Sequence, residues 1–368
     1  YLFAGGTESR IIALAEEFRK RNHKASFLIH GEPGTGQERP DFTVYKTTSA
    51  MCAKIAGKII ERDKIDLVQV HNYQYVGNGA ILAAKKHGIP SVYYAHDFCA
   101  ICLRRFLVDG MHPETAPCNH EHGCEAGSNY DKWLHTQETG NLERATIGIA
   151  PSKFFVNVLE QHNILTGKWK IVTPWINSFY RSLYWGGYCS PTIMFTGNLT
   201  YGKGIHTIID ALPLVLKELP ETTLRIIADP AFHEQVILHA RRLGVLNRLQ
   251  FVNVLPMEQL GLEYVNAGIV VFPSKLQEAF GLVWAEAMSV GTPVICNGVG
   301  SIPEYAGNHS VLMNPADGSG KWVEAILTLF QDRKETVAFA ERAKAYALET
   351  FNVEHAADNV LKIYEDLI

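Results

Sequence analysis

Apolar residues recur along this chain in two rhythms that take turns. Residues 8–21 set Ile11, Leu14, Ala15 and Phe18 three or four positions apart, the spacing of one helix face. Ala25 to Ile29 is then a compact apolar run, fit for a buried strand. The pair recurs: strand Asp66–Val70, a helical stretch to Lys86, strand Ser91–Ala95, a helix near Tyr130–Arg144, strand Thr146–Ala150 and a helix from Ser152. Strands that alternate with helices predict a parallel sheet covered by helices.

A second series follows Gly186-Gly187 and Pro191: strand Thr192–Thr196, helix Lys203–Lys217, strand Thr223–Ala228, helix Phe232–Leu243 and strand Leu249–Val252. It continues with strand Ile269–Phe272, a helix from Gly281 and strand Pro293–Cys296. No internal repeat joins the halves, so they are expected to share architecture only. The last helix carries Val360, Leu361, Tyr364 and Leu367 on one face. A chain of 368 residues is longer than one core usually serves. The expectation is an α/β protein of two Rossmann-like domains, 1–175 and 190–350, with a final segment 351–368.

Composition narrows the class. With 47% apolar and 20% charged residues the chain has the make-up of a soluble globular protein. No run approaches the ~20 apolar residues of a membrane span, and Tyr1–Gly6 carries no leader pattern. The chain opens on Tyr1 without methionine, so its first strand is expected to be incomplete. Seven cysteines, an odd number, fit reduced thiols better than a disulfide framework. A cytoplasmic location is expected. Residues 1–190 hold three more basic than acidic side chains and the remainder seven more acidic than basic. A mildly basic front half is compatible with an anionic acceptor or peripheral membrane contact, and is far from the balance of a nucleic-acid binder.

In open α/β sheets, ligands bind beyond the carboxyl ends of strands, so chemistry is sought in the loops there. The richest is Pro273-Ser274-Lys275-Leu276-Gln277-Glu278-Ala279-Phe280-Gly281-Leu282, which leads into a helix bearing Glu286 and then to Gly291-Thr292-Pro293-Val294. A helix that starts near Gly281 offers the free N–H groups of Gly281 and Leu282 to a diphosphate. Glu278 and Glu286 are eight residues apart, about 12 Å along a helical rise, which leaves room for a diphosphate between them. Ionised carboxylates accept hydrogen bonds from hydroxyls, one from the sugar and the other from the ribose. Gly5-Gly6-Thr7-Glu8 and Gly197-Asn198-Leu199-Thr200-Tyr201-Gly202-Lys203-Gly204 are two further strand-to-helix loops, in the second of which Lys203 is placed to meet a phosphate. Neither forms the G-x-G-x-x-G of a dinucleotide site. A His96-Asp97 pair ends the strand Ser91–Ala95.

The stretch from Pro273 to Val294 resembles family four of the retaining GT-B glycosyltransferases, whose signature is Glu, seven residues, Glu within Pro-Ser, Glu-x-Phe-Gly, Glu-Ala-Met and Gly-x-Pro-Val. The likeness is dense over 190–305, clear at the two ends, and thin over 30–65 and 100–130. It implies two Rossmann-like domains facing across a cleft, the first for the acceptor and the second for a nucleotide sugar, with 351–368 as a helix returning to the first domain. It assigns catalysis to His96, Glu278 and Lys203, and donor binding to Gly6, Asn198, Lys203, Asp229, Phe280, Gly281, Leu282 and Glu286. In the family the histidine meets the donor sugar, with Asp97 setting its tautomer or facing the acceptor. Asp229 and 253–256 fall where the family binds the nucleoside. An arginine often stands in the family where this chain has Asn198, so one cation is missing.

The implied activity is transfer of a hexose from a nucleoside diphosphate, UDP more often than GDP, to a saccharide, lipid-linked or other hydroxyl acceptor. An epimerase of the same fold and a non-catalytic partner subunit are the alternatives. No Asp-x-Asp triplet occurs in the chain, so no metal ion is expected on the diphosphate and no cofactor is implied. Cys99, Cys102, Cys118 and Cys124, interspersed with His112, His120 and His122, permit a structural zinc, but the spacing is loose and an acceptor-binding segment is the favoured reading.

Overall fold

The computed structural model describes residues 6–31, 42–71, 76–102, 129–187 and 191–368. The expected opening strand, Cys118, Cys124 and the histidines beside them lie outside these residues. By its contacts the chain divides into two compact units, Tyr1–Pro174 with Val353–Ile368, and Trp175–Asn352.

In the first unit α1 (Gly6–Lys20) precedes β1 (Ser26–His30), β2 (Thr43–Thr47), α2 (Cys52–Asp63), β3 (Val68–Val70), α3 (Gly79–Lys86) and β4 (Ser91–Tyr94). Next come α4 (Asn129–Leu142), β5 (Ile147–Ala150), α5 (Lys153–Gln161) and β6 (Trp169–Ile171). Strands β3, β4, β5 and β6 form a parallel sheet in that order, and β1 pairs with β2. The helix expected from Ser152 begins there because the Ser152 hydroxyl accepts the Phe155 N–H at 3.0 Å, which satisfies one donor of the first turn.

The second unit runs β7 (Thr192–Thr196), α6 (Ile205–Glu218), β8 (Thr223–Ile227), α7 (His233–Arg242), β9 (Leu249–Val252), α8 (Met257–Asn266), β10 (Ile269–Phe272), α9 (Leu282–Val290) and β11 (Val294–Asn297). It closes with α10 (Ile302–Ala306), β12 (Val311–Met313), α11 (Ser319–Gln331) and α12 (Arg333–Thr350). Its six strands are parallel in the order β12-β11-β10-β7-β8-β9. Successive strand residues point to opposite faces, and both faces are buried. Ile193, Phe195, Ile269, Val271 and Ile295 enter one core with α6 and Trp322 of α11, whereas Met194, Val270, Phe272, Val294 and Cys296 enter another with Trp284 of α9. Burial on two sides explains why these strands read as unbroken apolar runs.

The strand order makes a crevice. The chain builds outward from β7 to β9, then returns to β10 on the other side of β7, so the loops after β7 and β10 leave in opposite directions. The two loops touch. Lys275 N–H donates to Gly202 O at 2.7 Å, and Gly204, at φ +75°, leaves no room for a side chain: a Cβ there would stand 1.9 Å from Pro273 O. From β11, Gly300 approaches in the same way, with its would-be Cβ 2.2 Å from Glu278 O. Asn297 Nδ2 donates to Pro273 O at 3.0 Å and Ser274 O at 3.1 Å. The loop 273–281 is thus gripped from both neighbours in the sheet.

The last helix, α13 (Val353–Glu365), belongs to the first unit and lies against α1. Arg21 Nε donates to Asp358 Oδ1 at 2.8 Å, and the rings of Phe18 and Tyr364 meet edge to face at 5.8 Å.

Gly204→Ala should therefore destabilise the second unit by about 2–4 kcal/mol, read by urea unfolding through tryptophan fluorescence. Gly320→Ala, where the added methyl meets nothing within 4 Å inside α11, should instead stabilise by roughly 0.5–1 kcal/mol. Equal effects at the two sites would contradict the close approach.

Candidate functional site

Two residues far apart in sequence meet at the crevice. Lys203 Nζ donates to Glu278 Oε1 at 2.7 Å, and the buried Ser274 hydroxyl donates to the same oxygen at 2.5 Å. The Lys203 ammonium also lies 5.7 Å from the centre of the Phe272 ring. The side chains of Lys203 and Glu278 are only 17% and 10% exposed. A charge withdrawn from water to this degree costs several kcal/mol unless it is paired. The pair is what makes the location tenable.

Helix α9 starts beside this pair. Gly281 stands at its N-cap in the left-handed region, φ 78°, and no side chain caps the first turn. The N–H groups of that turn and the positive end of the helix dipole make an anion-binding geometry. Because the helix begins at Leu282, Glu278 is outside it. The separation of about 12 Å inferred from a continuous helical rise is therefore corrected: only the stretch from Leu282 to Glu286 is helical. Phe280, expected at the donor, turns its ring inward. Its ring is buried in the core, 5.1 Å from Trp284 and 5.3 Å from Phe351, and its carbonyl accepts Trp284 Nε1–H at 2.7 Å. The side chain holds α9 in place.

Glu286 accepts a hydrogen bond from Tyr264 Oη at 2.9 Å. Burial and the nearby Glu286 charge push the Tyr264 phenol well above its ordinary range, so it remains a proton donor. Neither tyrosine of this corner, Tyr264 or Tyr180, is marked by the motif. Beyond the carboxyl ends of β7, β8 and β9, a small groove of about 170 Å³ is lined by Asn198, Asp229, Val254, Leu255 and Leu260 among others. Asp229 Oδ1 accepts Ala231 N–H at 2.9 Å and shapes the turn after β8. Asn198 and Asp229 are exposed. The second unit thus brings together Lys203, Glu278, the α9 terminus and this groove.

His96 belongs to the first unit. Its Nε2 stands 2.8 Å from His71 Nδ1, and its ring is stacked with those of His71 and Tyr94. Burial and the nearby Arg10 push His71 down to about 3. Burial, then His71, then Arg10 hold His96 well below the ordinary imidazole value. Both rings are neutral near pH 7. Asp97, by contrast, accepts Cys99 N–H at 2.9 Å and caps the 3-10 turn Phe98–Ala100. The ring partner lies 25 residues upstream, where Gln69 and His71 recur at strand spacing. That polar alternation was the available signal.

Gly6 is the first residue of α1, and Gly5 lies outside the described residues. Cys99 and Cys102 are buried. Among the described residues no group of three or more His, Cys, Asp or Glu is arranged to hold a metal ion. No described helix is long and apolar enough to cross a membrane.

Comparison with known proteins agrees with this architecture. Residues 4–178 match the family described as Glycosyltransferase Family 4, and residues 190–346 match Glycosyl transferases group 1. A D-inositol 3-phosphate glycosyltransferase of Corynebacterium glutamicum is 32% identical over 48% of this chain and 43% of its own length. The protein of the same name from Rhodococcus jostii is 27% identical over 85% of this chain and 70% of its own. The crystal structure of Anabaena HepE in complex with UDP is similar with a TM-score of 0.74 over 100% of this chain and 98% of that one, at 19% identity. That last likeness is one of fold.

Lys203→Met should cost on the order of 3 kcal/mol, because Glu278 is left buried without its partner. The double variant Lys203→Met, Glu278→Gln should recover much of that loss in a denaturant double-mutant cycle. Strictly additive changes would mean that the two side chains do not interact.

Proposed function

Since this chain belongs to the group 1, family 4 glycosyltransferases of the GT-B fold, we propose that it moves a hexose from a nucleoside diphosphate to an acceptor hydroxyl with retention at the anomeric carbon. The observation that carries this reading is the Lys203–Glu278 pair beside the uncapped terminus of α9, at the crevice between β7 and β10.

In this reading the diphosphate takes the N–H groups of Gly281 and Leu282 and competes with Glu278 for Lys203. The carboxylate released from the ammonium accepts hydrogen bonds from sugar hydroxyls. Glu286, oriented by Tyr264, accepts from the ribose, and the groove at Asn198 and Asp229 receives the base. Uridine is favoured by the UDP held in Anabaena HepE. His96, neutral, is the group of the first unit assigned to the sugar. The acceptor is a saccharide, a lipid-linked sugar or another hydroxyl compound.

Transfer breaks the bond from the anomeric carbon to the diphosphate oxygen and forms one to the acceptor oxygen on the same face. The acceptor proton passes to the departing phosphate oxygen. Lys203 and the α9 terminus stabilise the negative charge as it develops there. Asn198 supplies no second cation, so these two carry the neutralisation without a metal ion. Turnover should accordingly persist in excess EDTA, with purified enzyme and nucleotide sugar followed by product analysis. Loss of activity restored by Mg²⁺ or Mn²⁺ would overturn the metal-free reading.

The two glutamates should separate kinetically. Glu278 touches the sugar, where interactions strengthen as the ring becomes cationic, so Glu278→Gln should lower kcat with little change in nucleotide affinity. Glu286 touches the chemically unchanged ribose, so Glu286→Gln should mainly raise the donor KM. A lost charge-assisted hydrogen bond is worth roughly 1.5–3 kcal/mol, about ten- to hundredfold. Identical behaviour of the two variants would sink the assignment of sugar and ribose ends.

A further inference from the structure

Four side chains of the first unit form one line of polar contacts. Tyr364, near the end of α13, donates its hydroxyl proton to Gln69 Oε1 on β3. Gln69 Nε2 stands 2.5 Å from His71 Nε2, and His71 Nδ1 stands 2.8 Å from His96 Nε2. The rings of His71, Tyr94 and His96 stack at centroid distances of 5.1–5.4 Å, which restrains both imidazoles against rotation.

The direction of every hydrogen in this line follows from the orientation of the Gln69 amide, whose oxygen faces the Tyr364 hydroxyl and whose nitrogen faces His71. Burial and nearby Tyr94 push the Tyr364 phenol well above its ordinary range, so it carries a proton to donate. With its oxygen occupied by that donor, the Gln69 amide presents N–H to His71. An amide nitrogen only donates, so His71 Nε2 must be the acceptor. A neutral imidazole has one protonated nitrogen, which places the His71 proton on Nδ1. That proton points at His96 Nε2, which accepts it, and the proton of His96 is left on Nδ1.

We propose that Tyr364 and Gln69, acting through His71, are positioning residues that fix His96 as its Nδ1–H tautomer. The helix that closes the first unit thereby selects which imidazole nitrogen can donate a hydrogen bond to a bound sugar hydroxyl. The consequence for catalysis rests on the assignment of His96 to the donor sugar made above. The tautomer itself does not, so the two can fail separately. A single amide orientation decides the outcome, because exchanging the oxygen and nitrogen of Gln69 would reverse each hydrogen down to His96.

Two-bond nitrogen–proton correlation spectra of isotope-labelled histidine report the tautomer directly. His96 in the unaltered protein should show the Nδ1–H pattern at about pH 8.5, well above the ordinary imidazole value of ~6.5. Gln69→Glu places an acceptor-only carboxylate opposite His71 Nε2 and should convert His96 to the Nε2–H form. Tyr364→Phe, which frees the amide to turn over, should give a mixture of the two. In parallel, Gln69→Glu should lower kcat ten- to hundredfold with the donor KM within about threefold, a split that mere loss of packing would not produce. An Nε2–H signal in the unaltered protein, or an unchanged tautomer in Gln69→Glu, overturns the proposal. A converted tautomer with undiminished kcat upholds it and removes His96 from the sugar instead.

Discussion

The salt bridge between Lys203 and Glu278 depends on two backbones coming closer than any side chain larger than hydrogen permits. Gly204 lies against Pro273 and Gly300 against Glu278, so the loop after β10 is held between its neighbours by close approaches of backbone. Those side chains are then placed by the backbone. Lys203 reaches across from the loop after β7, and Ser274 shares the oxygen it contacts. A buried ion pair built this way is weak evidence for stability but a well-defined polar centre, since both of its members arrive on clamped loops. Anything that binds here meets groups already fixed in direction, which is the condition under which electrostatic stabilisation is most effective.

Around that centre the division of labour is between rings and carboxylates. Phe280, Trp284, Tyr305 and Phe351 pack edge to face or tilted, and they hold α9 against the sheet. The aromatic members of the motif are scaffold. The acidic members each have a different attendant: an ammonium and a hydroxyl for Glu278, a buried phenol for Glu286. The same short stretch of chain thus supplies both the anchor and the polar groups, and only their burial tells them apart.

Much of this was legible from sequence. Strands β7 and β10 coincide with their apolar runs because their inner positions are buried on both faces and carry no polar residue. Three-residue β6 and β12 were missed, since Trp169–Ile171 and Val311–Met313 are short and partly exposed. The second strand and helix of the first unit, β2 and α2, fall where the family likeness is thin. Motif residues Lys203 and Glu278 were both marked, yet their contact was not, because nothing in residues 75 positions apart announces that they share an oxygen. The partner of His96 was sought in the adjacent Asp97, because the polar alternation of Gln69 and His71 does not say which strand end lies beside it. Periodicity reads burial and motif reads residue type. Neither reads the register between strands, which is what sets these pairs.

The chain order of α13 has a further bearing, on biosynthesis. The second unit ends at Asn352, whereas the first needs Val353–Ile368 to be complete. During translation the 178 residues between Pro174 and Val353 must be made first, a delay of roughly ten to forty seconds at ordinary ribosomal speed. Throughout that interval the face of α1 that receives α13, with Phe18 on it and Arg21 just after it, waits for its partner. The first unit is therefore begun first and finished last. A nascent chain of this protein would be exposed to chaperones along α1 until Val353–Ile368 has left the ribosome.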